Sequence, residues 1–220
     1  MLKSRLKKID AILIHAYWYD IKKSNSLDLA NKIQVFAIEN ICKKFEVANI
    51  VITAGKISKV HPAIGYELKR QIKMELPTKF HEKIHVYPTQ KTTIGEIKQF
   101  KRTIATNNWK QMAVLGVSLH MPRIKRDFAK VFKNVEHNTL FFEAEKNLSQ
   151  KDFPTLKKYI NSKEHTLLKL NEQIEKSIEN IPIIGNILLE TVSKFLVNKG
   201  YFQPKIVNFF YKISNIKTQI

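Results

Sequence analysis

Three residues whose side chains can do chemistry, Ser118, His120 and Arg123, follow one apolar run closely. The run, residues 112–117, has the continuous hydrophobicity of a buried parallel strand, and ligands of doubly wound sheets bind where such strands end. Pro122 suits the first turn of a helix, whose positive end favours an anion. The segment therefore predicts a phosphate or carboxylate site, and a helix cap followed by a surface arginine accounts for it equally well.

Polar side chains follow the other predicted strands in the same way. Strand by strand, they are His15 and Asp20; Gly55, Lys56 and His61, with Glu67 on the next helix; and Thr92, Thr93 and Glu96. Because the carboxyl ends of parallel strands lie at one edge of a sheet, we expect these side chains to line one cleft.

The residue types divide this predicted site into two roles. Glu67, Glu96 and His120 can transfer protons, and they are the candidate catalytic residues. The candidate ligand-binding residues offer hydroxyls, cationic groups or close backbone approach, and they are His15, Gly55, Lys56, Thr92, Thr93, Ser118 and Arg123. Two alternatives stay open, because Glu96 also fits a capping box with Thr93 and His15 also fits a buried structural histidine.

Signatures of the common cofactors are missing from the sequence. There is no G-x-G-x-x-G, no G-x-x-x-x-G-K-[ST] and no G-x-S-x-G, so no nicotinamide, P-loop or nucleophile-elbow site is predicted. The histidines lack the spacing of zinc ligands, and no metal is predicted. The sequence does not indicate a cofactor. The expectation of an adenosyl-type ligand depends only on analogy with other Rossmann-like sheets.

The formal net charge of +19 bears on the partners of this 220-residue chain. The excess is spread along the sequence and consists mostly of lysines on predicted helix faces, which favours a solvated surface over a sequence-specific nucleic-acid site. Such a field concentrates anions, so we expect an anionic small-molecule ligand. It also predicts weak contact with nucleic acid or an anionic membrane.

Strand-like and helix-like segments alternate along the chain, which predicts a parallel sheet covered on both faces. The strands fall at 10–17, 49–53, 84–87, 112–117 and 139–142, and Ser26 is the expected N-cap of the first helix. The fold class is α/β, a three-layer Rossmann-like domain over residues 1–146 with a mostly parallel sheet. Residues 147–220 form a helical extension that we expect to pack on that domain, with helices at 152–162, 163–180 and 183–198.

A soluble, cytoplasmic protein is expected from the same sequence. No apolar run approaches the ~20 residues that a transmembrane helix needs, and the basic N-terminus lacks the apolar core of a signal peptide. Cys42 is the single cysteine, so no internal disulfide can form.

The order of the motifs resembles the YdcF, SanA and ElyC group, a domain of unknown function. The resemblance covers about residues 10–145 and rests on Thr53-Ala54-Gly55, Glu67, the Thr93 to Glu96 helix start and Ser118-Leu119-His120-Met121-Pro122-Arg123. It implies a Rossmann-like fold with these residues around one cleft and an activity not yet assigned, linked in some members to cell-envelope metabolism. The chain would be a divergent, soluble member.

Three functions remain open from the sequence. The first is an enzyme, a hydrolase or transferase, that acts on a phosphorylated or nucleotide-like small molecule. The second is a non-catalytic module that binds an adenosyl-type or other anionic ligand in the same cleft. The third is a basic interaction protein at a membrane surface. The oligomeric state is not predicted.

Overall fold

The computed structural model describes residues 7–17, 28–56, 62–90, 92–133 and 138–162, with residues 165, 166, 168, 169, 172, 173 and 176. Strands and helices alternate through these residues. The strands are β1 Lys7–Ile9, β2 Ala11–Ile14, β3 Phe45–Val47, β4 Ile50–Ala54, β5 Ile84–Gln90, β6 Gln111–Gly116 and β7 Asn138–Glu143. The α-helices are α1 Leu29–Lys44, α2 Ile64–Glu75, α3 Thr93–Asn107, α4 Met121–Val131 and α5 Phe153–Ile160. Short 3₁₀ segments cover Thr78–Lys83, Ala144–Asn147 and Gln150–Asp152.

Five strands form one parallel sheet in the order β5-β4-β2-β6-β7. The order reverses direction between β2 and β6, which is the topological switch point of a doubly wound sheet. β1 and β3 form a separate parallel pair. The predicted α/β, Rossmann-like architecture with a mostly parallel sheet is confirmed.

β2 is the central strand, and its sequence explains why. All of Ala11, Ile12, Leu13 and Ile14 are fully buried, as expected of a short apolar run with a helical layer on each face. Ile12 and Ile14 join one hydrophobic cluster, whereas Ala11 and Leu13 join the other, so successive side chains alternate between the two faces of the sheet.

Two helical layers cover the sheet. α1 and α2 pack on one face through Ile33, Ile38 and Leu68. α3 and α4 pack on the other through Phe100 and Phe128. The two layers follow from right-handed crossovers that run in opposite directions from the switch point.

Two local predictions were incomplete or wrong. The N-cap of α1 is Asp28, whose carboxylate accepts from the backbone N–H of Asn31 at 2.8 Å, and the prediction of Ser26 was wrong. Both residue types cap helices, and the chain uses the one next to the first helical turn. The strands β1 and β3 were not predicted, because three residues are too few to show a period.

The chain divides into two compact units, Met1–Lys169 and Leu170–Ile220. In the first unit, α5 contacts α1, and Tyr159 of α5 is 1% exposed within the core. Of the second unit only residues 172, 173 and 176 are described, so the helix predicted at 183–198 lies outside the described residues. Among the helices that the structure describes, none has the length and hydrophobicity of a membrane span.

Gly65, in the first turn of α2, yields the first testable prediction. A Cβ built there would lie 2.8 Å from the carbonyl oxygen of Ala54 and 3.0 Å from Val86, because α2 packs directly on β4 and β5. In the interior of a helix, replacing glycine by alanine ordinarily raises the free energy of unfolding by about 1 kcal/mol. We expect Gly65→Ala instead to lower the free energy of unfolding by about 1–3 kcal/mol through overpacking, measured by urea denaturation. A more stable variant would contradict the close approach.

Candidate functional site

Four of the predicted site residues meet at the carboxyl edge of the sheet. His15 follows β2, Thr93 and Glu96 lie in the first turn of α3, and His120 directly precedes α4. Their exposed fractions are only 4–6%. We call these four residues the buried histidine cluster.

Short polar contacts link the members of the cluster. His15 Nδ1 lies 2.8 Å from Glu96 Oε2, and Thr93 Oγ1 lies 3.1 Å from His120 Nε2 and 3.5 Å from His15 Nε2. The two imidazole rings stack, with centroids 4.9 Å apart and planes 16° apart. The hydroxyl of Thr93 therefore bridges two histidines, one of which also contacts a carboxylate.

The start of α3 explains how Thr93 and Glu96 become available to the site. Thr92 is the N-cap, and its hydroxyl accepts from the backbone N–H of Gly95 at 3.2 Å. The capping-box alternative between Thr93 and Glu96 is therefore wrong. Because Glu96 does not cap the helix, its carboxylate reaches the end of β2, where the backbone N–H of Ala16 lies 3.5 Å from Oε2.

His120 is held in its neutral form by its surroundings. Burial lowers its pKa well below the usual value, and the nearby His15, Arg123 and Arg126 lower it further. A neutral imidazole can accept a proton, which an imidazolium cannot, but the lowered pKa makes His120 a weak base unless the proton is passed on to a neighbouring group.

The contacts fix a consistent set of proton positions. His15 Nδ1 must carry the hydrogen that faces Glu96, because a carboxylate only accepts. The contact is close but poorly aligned for a hydrogen bond, so it acts mainly as an electrostatic pairing. His15 Nε2 then accepts from the Thr93 hydroxyl, and the Thr93 oxygen accepts from His120 Nε2. This assignment follows from the network, as histidine tautomers generally must.

Tyr17 was not predicted as part of the site, yet it joins the two loops at the switch point. Its hydroxyl accepts from the backbone N–H of Val117 at 3.2 Å, and its own backbone N–H donates to Asn31 Oδ1 at 3.0 Å. Its ring stands edge-on to His15 and His120, with centroids 5.3 and 5.5 Å away. An aromatic residue three positions after the central strand was the available signal.

Ser118 lies at the same edge but has carboxylate partners rather than histidines. Its Oγ is 2.9 Å from oxygens of both Glu143 and Glu145, and its backbone N–H donates to Glu145 at 2.8 Å. The hydrogen bond from Lys146 lowers the pKa of Glu143, burial opposes this shift, and Ser118 adds to it. The two glutamates stand at the end of β7, a strand end from which no site residue was predicted.

Glu67 is placed in the first turn of α2, in the helical layer opposite to α3 and α4. Its carboxylate accepts from Arg70 at 2.6 and 2.8 Å and from Gln71 at 3.0 Å, all on its own helix. Burial raises the pKa of Glu67, but the bonds from Arg70 and Gln71 outweigh this, and the pKa is lowered overall. The structure does not bring Glu67 together with the histidine cluster through any of these contacts.

The structure describes three of the remaining predicted residues, Gly55, Lys56 and Arg123. Gly55 approaches β5 rather than open space, since a Cβ there would meet the carbonyl oxygens of Pro88 and Gln90 at 2.8 Å. Lys56 is exposed, and Asp20 and His61 lie outside the described residues. Arg123 is in the first turn of α4, with Nε 3.7 Å from Asp127 Oδ2.

No metal centre is found among the described residues, which contain no group of three or more potential metal-ligating His, Cys, Asp or Glu side chains. Cys42 is partly buried, and this burial raises its pKa to about 12, so its thiol is a poor nucleophile. Comparison with protein families, with curated proteins and with solved structures finds no match to this chain.

The lowered pKa of His120 predicts a pH dependence of stability. In the unfolded chain His120 takes up a proton near pH 6.5, whereas in the folded protein it resists protonation at that pH. The free energy of unfolding therefore does not change with pH through this group above about pH 6.5, and it falls below that pH. As the pH falls from 7 to 5, we expect the free energy of unfolding to drop by at most about 1.4 kcal/mol per pH unit from this group.

Urea denaturation at several pH values measures this contribution. In His120→Gln the decline should be shallower than in the wild type. His85→Gln is the comparison variant: the pKa of His85, on β5, is lowered less than that of His120, so its decline should stay closer to that of the wild type. Equal slopes for the wild type and His120→Gln would contradict the buried neutral imidazole.

Proposed function

We propose that this protein is an enzyme, a hydrolase or transferase, that acts on a phosphorylated or nucleotide-like small molecule at the carboxyl edge of the sheet. One observation carries the proposal, namely the linked chain of Glu96, His15, Thr93 and His120. Carboxylate, imidazole and hydroxyl in contact form an arrangement that activates a hydroxyl or moves a proton. Burial of all four costs free energy that a purely structural core of the same size avoids with apolar residues.

Proton movement through the cluster has a defined direction. When His15 Nε2 accepts the Thr93 proton, positive charge develops on the imidazole beside the Glu96 carboxylate, which stabilises it. In the same step the Thr93 oxygen takes the Nε2 proton of His120, and Nδ1 of His120 takes a proton from the substrate, so both Thr93 and His120 end uncharged and the positive charge rests on His15. Glu96 is thus the group that orients and stabilises His15, and His120 is the proposed general base.

The charge around the cluster favours an anionic substrate. Arg123 and Arg126 lie close enough to His120 to lower its pKa, so the positive potential reaches the proposed reacting groups. The net charge of +19 adds a long-range attraction for anions. The same motif order underlies our placement of the chain near the YdcF, SanA and ElyC group, which stays part of the proposal.

Phosphorus NMR on a panel of phosphomonoesters, phosphodiesters and nucleotides tests the proposal, because it detects both hydrolysis and transfer. For a substrate that turns over, we expect His120→Gln and Glu96→Gln to lower kcat/KM by about 10²–10⁴-fold, the usual worth of acid–base catalysis. Thr93→Val should lose activity likewise, whereas Thr93→Ser keeps the hydroxyl and most of the rate.

His85→Gln is the matched control and should change kcat/KM little, since His85 lies on β5 and its ring nitrogen contacts Asn49. Thermal denaturation verifies that each variant is folded. Full activity in His120→Gln or Glu96→Gln would contradict the proposed catalytic roles of these residues. Calorimetric binding of a nucleotide without any turnover would instead identify the chain as a binding module.

A further inference from the structure

The helical layer formed by α3 and α4 has a strongly one-sided charge. Its only carboxylates are Glu96 and Asp127, which are 4% and 6% exposed. Glu96 belongs to the histidine cluster, and Asp127 lies 3.7 and 3.9 Å from Arg123 and Arg126. The outer surface of this layer therefore carries no acidic side chain from either helix.

Several exposed lysine and arginine side chains lie on that surface. The exposed ones are Lys98, Arg102, Lys125, Lys130 and, just after α4, Lys133. In the part of the chain that the structure describes, Lys98, Arg102 and Lys130 have no carboxylate partner. Lys98 and Arg102 are one helical turn apart, so both lie on the same face of α3.

Lys101 connects the two helices that carry these cations. Its Nζ donates to the carbonyl oxygen of Val131 at 2.8 Å and lies 5.5 Å from the ring of Phe132. Because Lys101 joins α3 to the end of α4, Lys98 and Arg102 share one helical layer with Lys130 and Lys133. We call these four residues the basic patch.

The opposite layer shows that this asymmetry is specific to α3 and α4. On α1, Lys43 pairs with Glu39 at 2.6 Å, and on α2, Arg70 pairs with Glu67 at 2.6 Å. Cations of that layer are thus partly neutralised along their own helices. A lysine-rich composition alone predicts no such difference between the two faces.

We propose that the basic patch binds the phosphate backbone of a nucleic-acid duplex without sequence preference. A rigid cationic face that neutralises several phosphates is the basis of non-specific binding. No aromatic side chain of α3 or α4 is exposed for base stacking, which disfavours a single strand. The exposed large apolar residues of the described chain lie on α2 and α5, so the patch lacks the inserting side chains of a membrane-binding face.

The test is fluorescence anisotropy with a labelled random-sequence DNA duplex at salt concentrations between about 50 and 200 mM KCl. If the four cations of the patch each neutralise one phosphate, log K should fall with log salt at a slope of about −3.6. The triple variant Lys98→Glu, Arg102→Glu, Lys130→Glu should bind at least tenfold more weakly, with a slope near −0.9.

The matched control changes the net charge equally at exposed lysines elsewhere, with Lys44→Glu, Lys157→Glu and Lys158→Glu, and should bind within about twofold of the wild type. Equal losses in both triples would show that only the net charge matters and would overturn the proposal. So would absence of wild-type binding to the duplex, or binding to equal-part phosphatidylcholine and phosphatidylserine vesicles in its place. If the glutamate triple fails to fold, the corresponding glutamine triple is used. This test is independent of the proposed reaction.

Discussion

The pairing of the Glu96 carboxylate with His15 is the contact on which the site depends. A carboxylate 4% exposed would lose several kcal/mol of hydration without a partner, so the fold must keep a cationic or hydrogen-bonding group beside it. The end of β2 supplies both the His15 imidazole, whose Nδ1 is 2.8 Å from the carboxylate, and the backbone N–H of Ala16, which donates to it at 3.5 Å. Glu96 itself comes from the start of α3, and Thr53 of β4 adds a bond from its hydroxyl to the Glu96 carbonyl at 3.2 Å. Three elements are thereby held in one arrangement. Thr93 lies in the same helical turn as Glu96, and His120 joins the cluster through its contact with Thr93.

Much of the sheet could be predicted because its strands are buried on both faces. A continuous apolar run such as 112–117, flanked by segments of helical period, fits few structures besides a buried strand, and all the predicted strands are present. The pair of β1 and β3 could not be found in this way, since Lys7–Ile9 and Phe45–Val47 are too short and too polar to show a pattern. Their pairing depends on residues nearly 40 positions apart, which local propensity does not register.

The sequence predicted that the site residues lie together at the carboxyl edge of the sheet. In the structure these residues form separate groups of contacts. A residue that follows a parallel strand lies at the carboxyl edge of the sheet, and this can be predicted from the sequence. Which face of the sheet the next helix covers depends on the strand order, which no single segment reveals. For this reason Glu67 was grouped with His120 although its helix covers the opposite face. Tyr17 was missed because its role depends on Val117, a hundred residues away. Glu143 and Glu145 had the same signal as the other strand ends and were overlooked.

The register of the central strand bears on how the protein folds during synthesis. Ala11 pairs with Met112, so one edge of β2 has its partner only after about a hundred further residues have been made. At ribosomal rates of about 5–20 residues per second, that edge waits roughly 5–20 s, longer than most elementary folding events take. A fully apolar strand with one open edge is prone to pairing with other chains during that interval. Until β6 has been translated, the open edge of β2 is therefore exposed to mispairing.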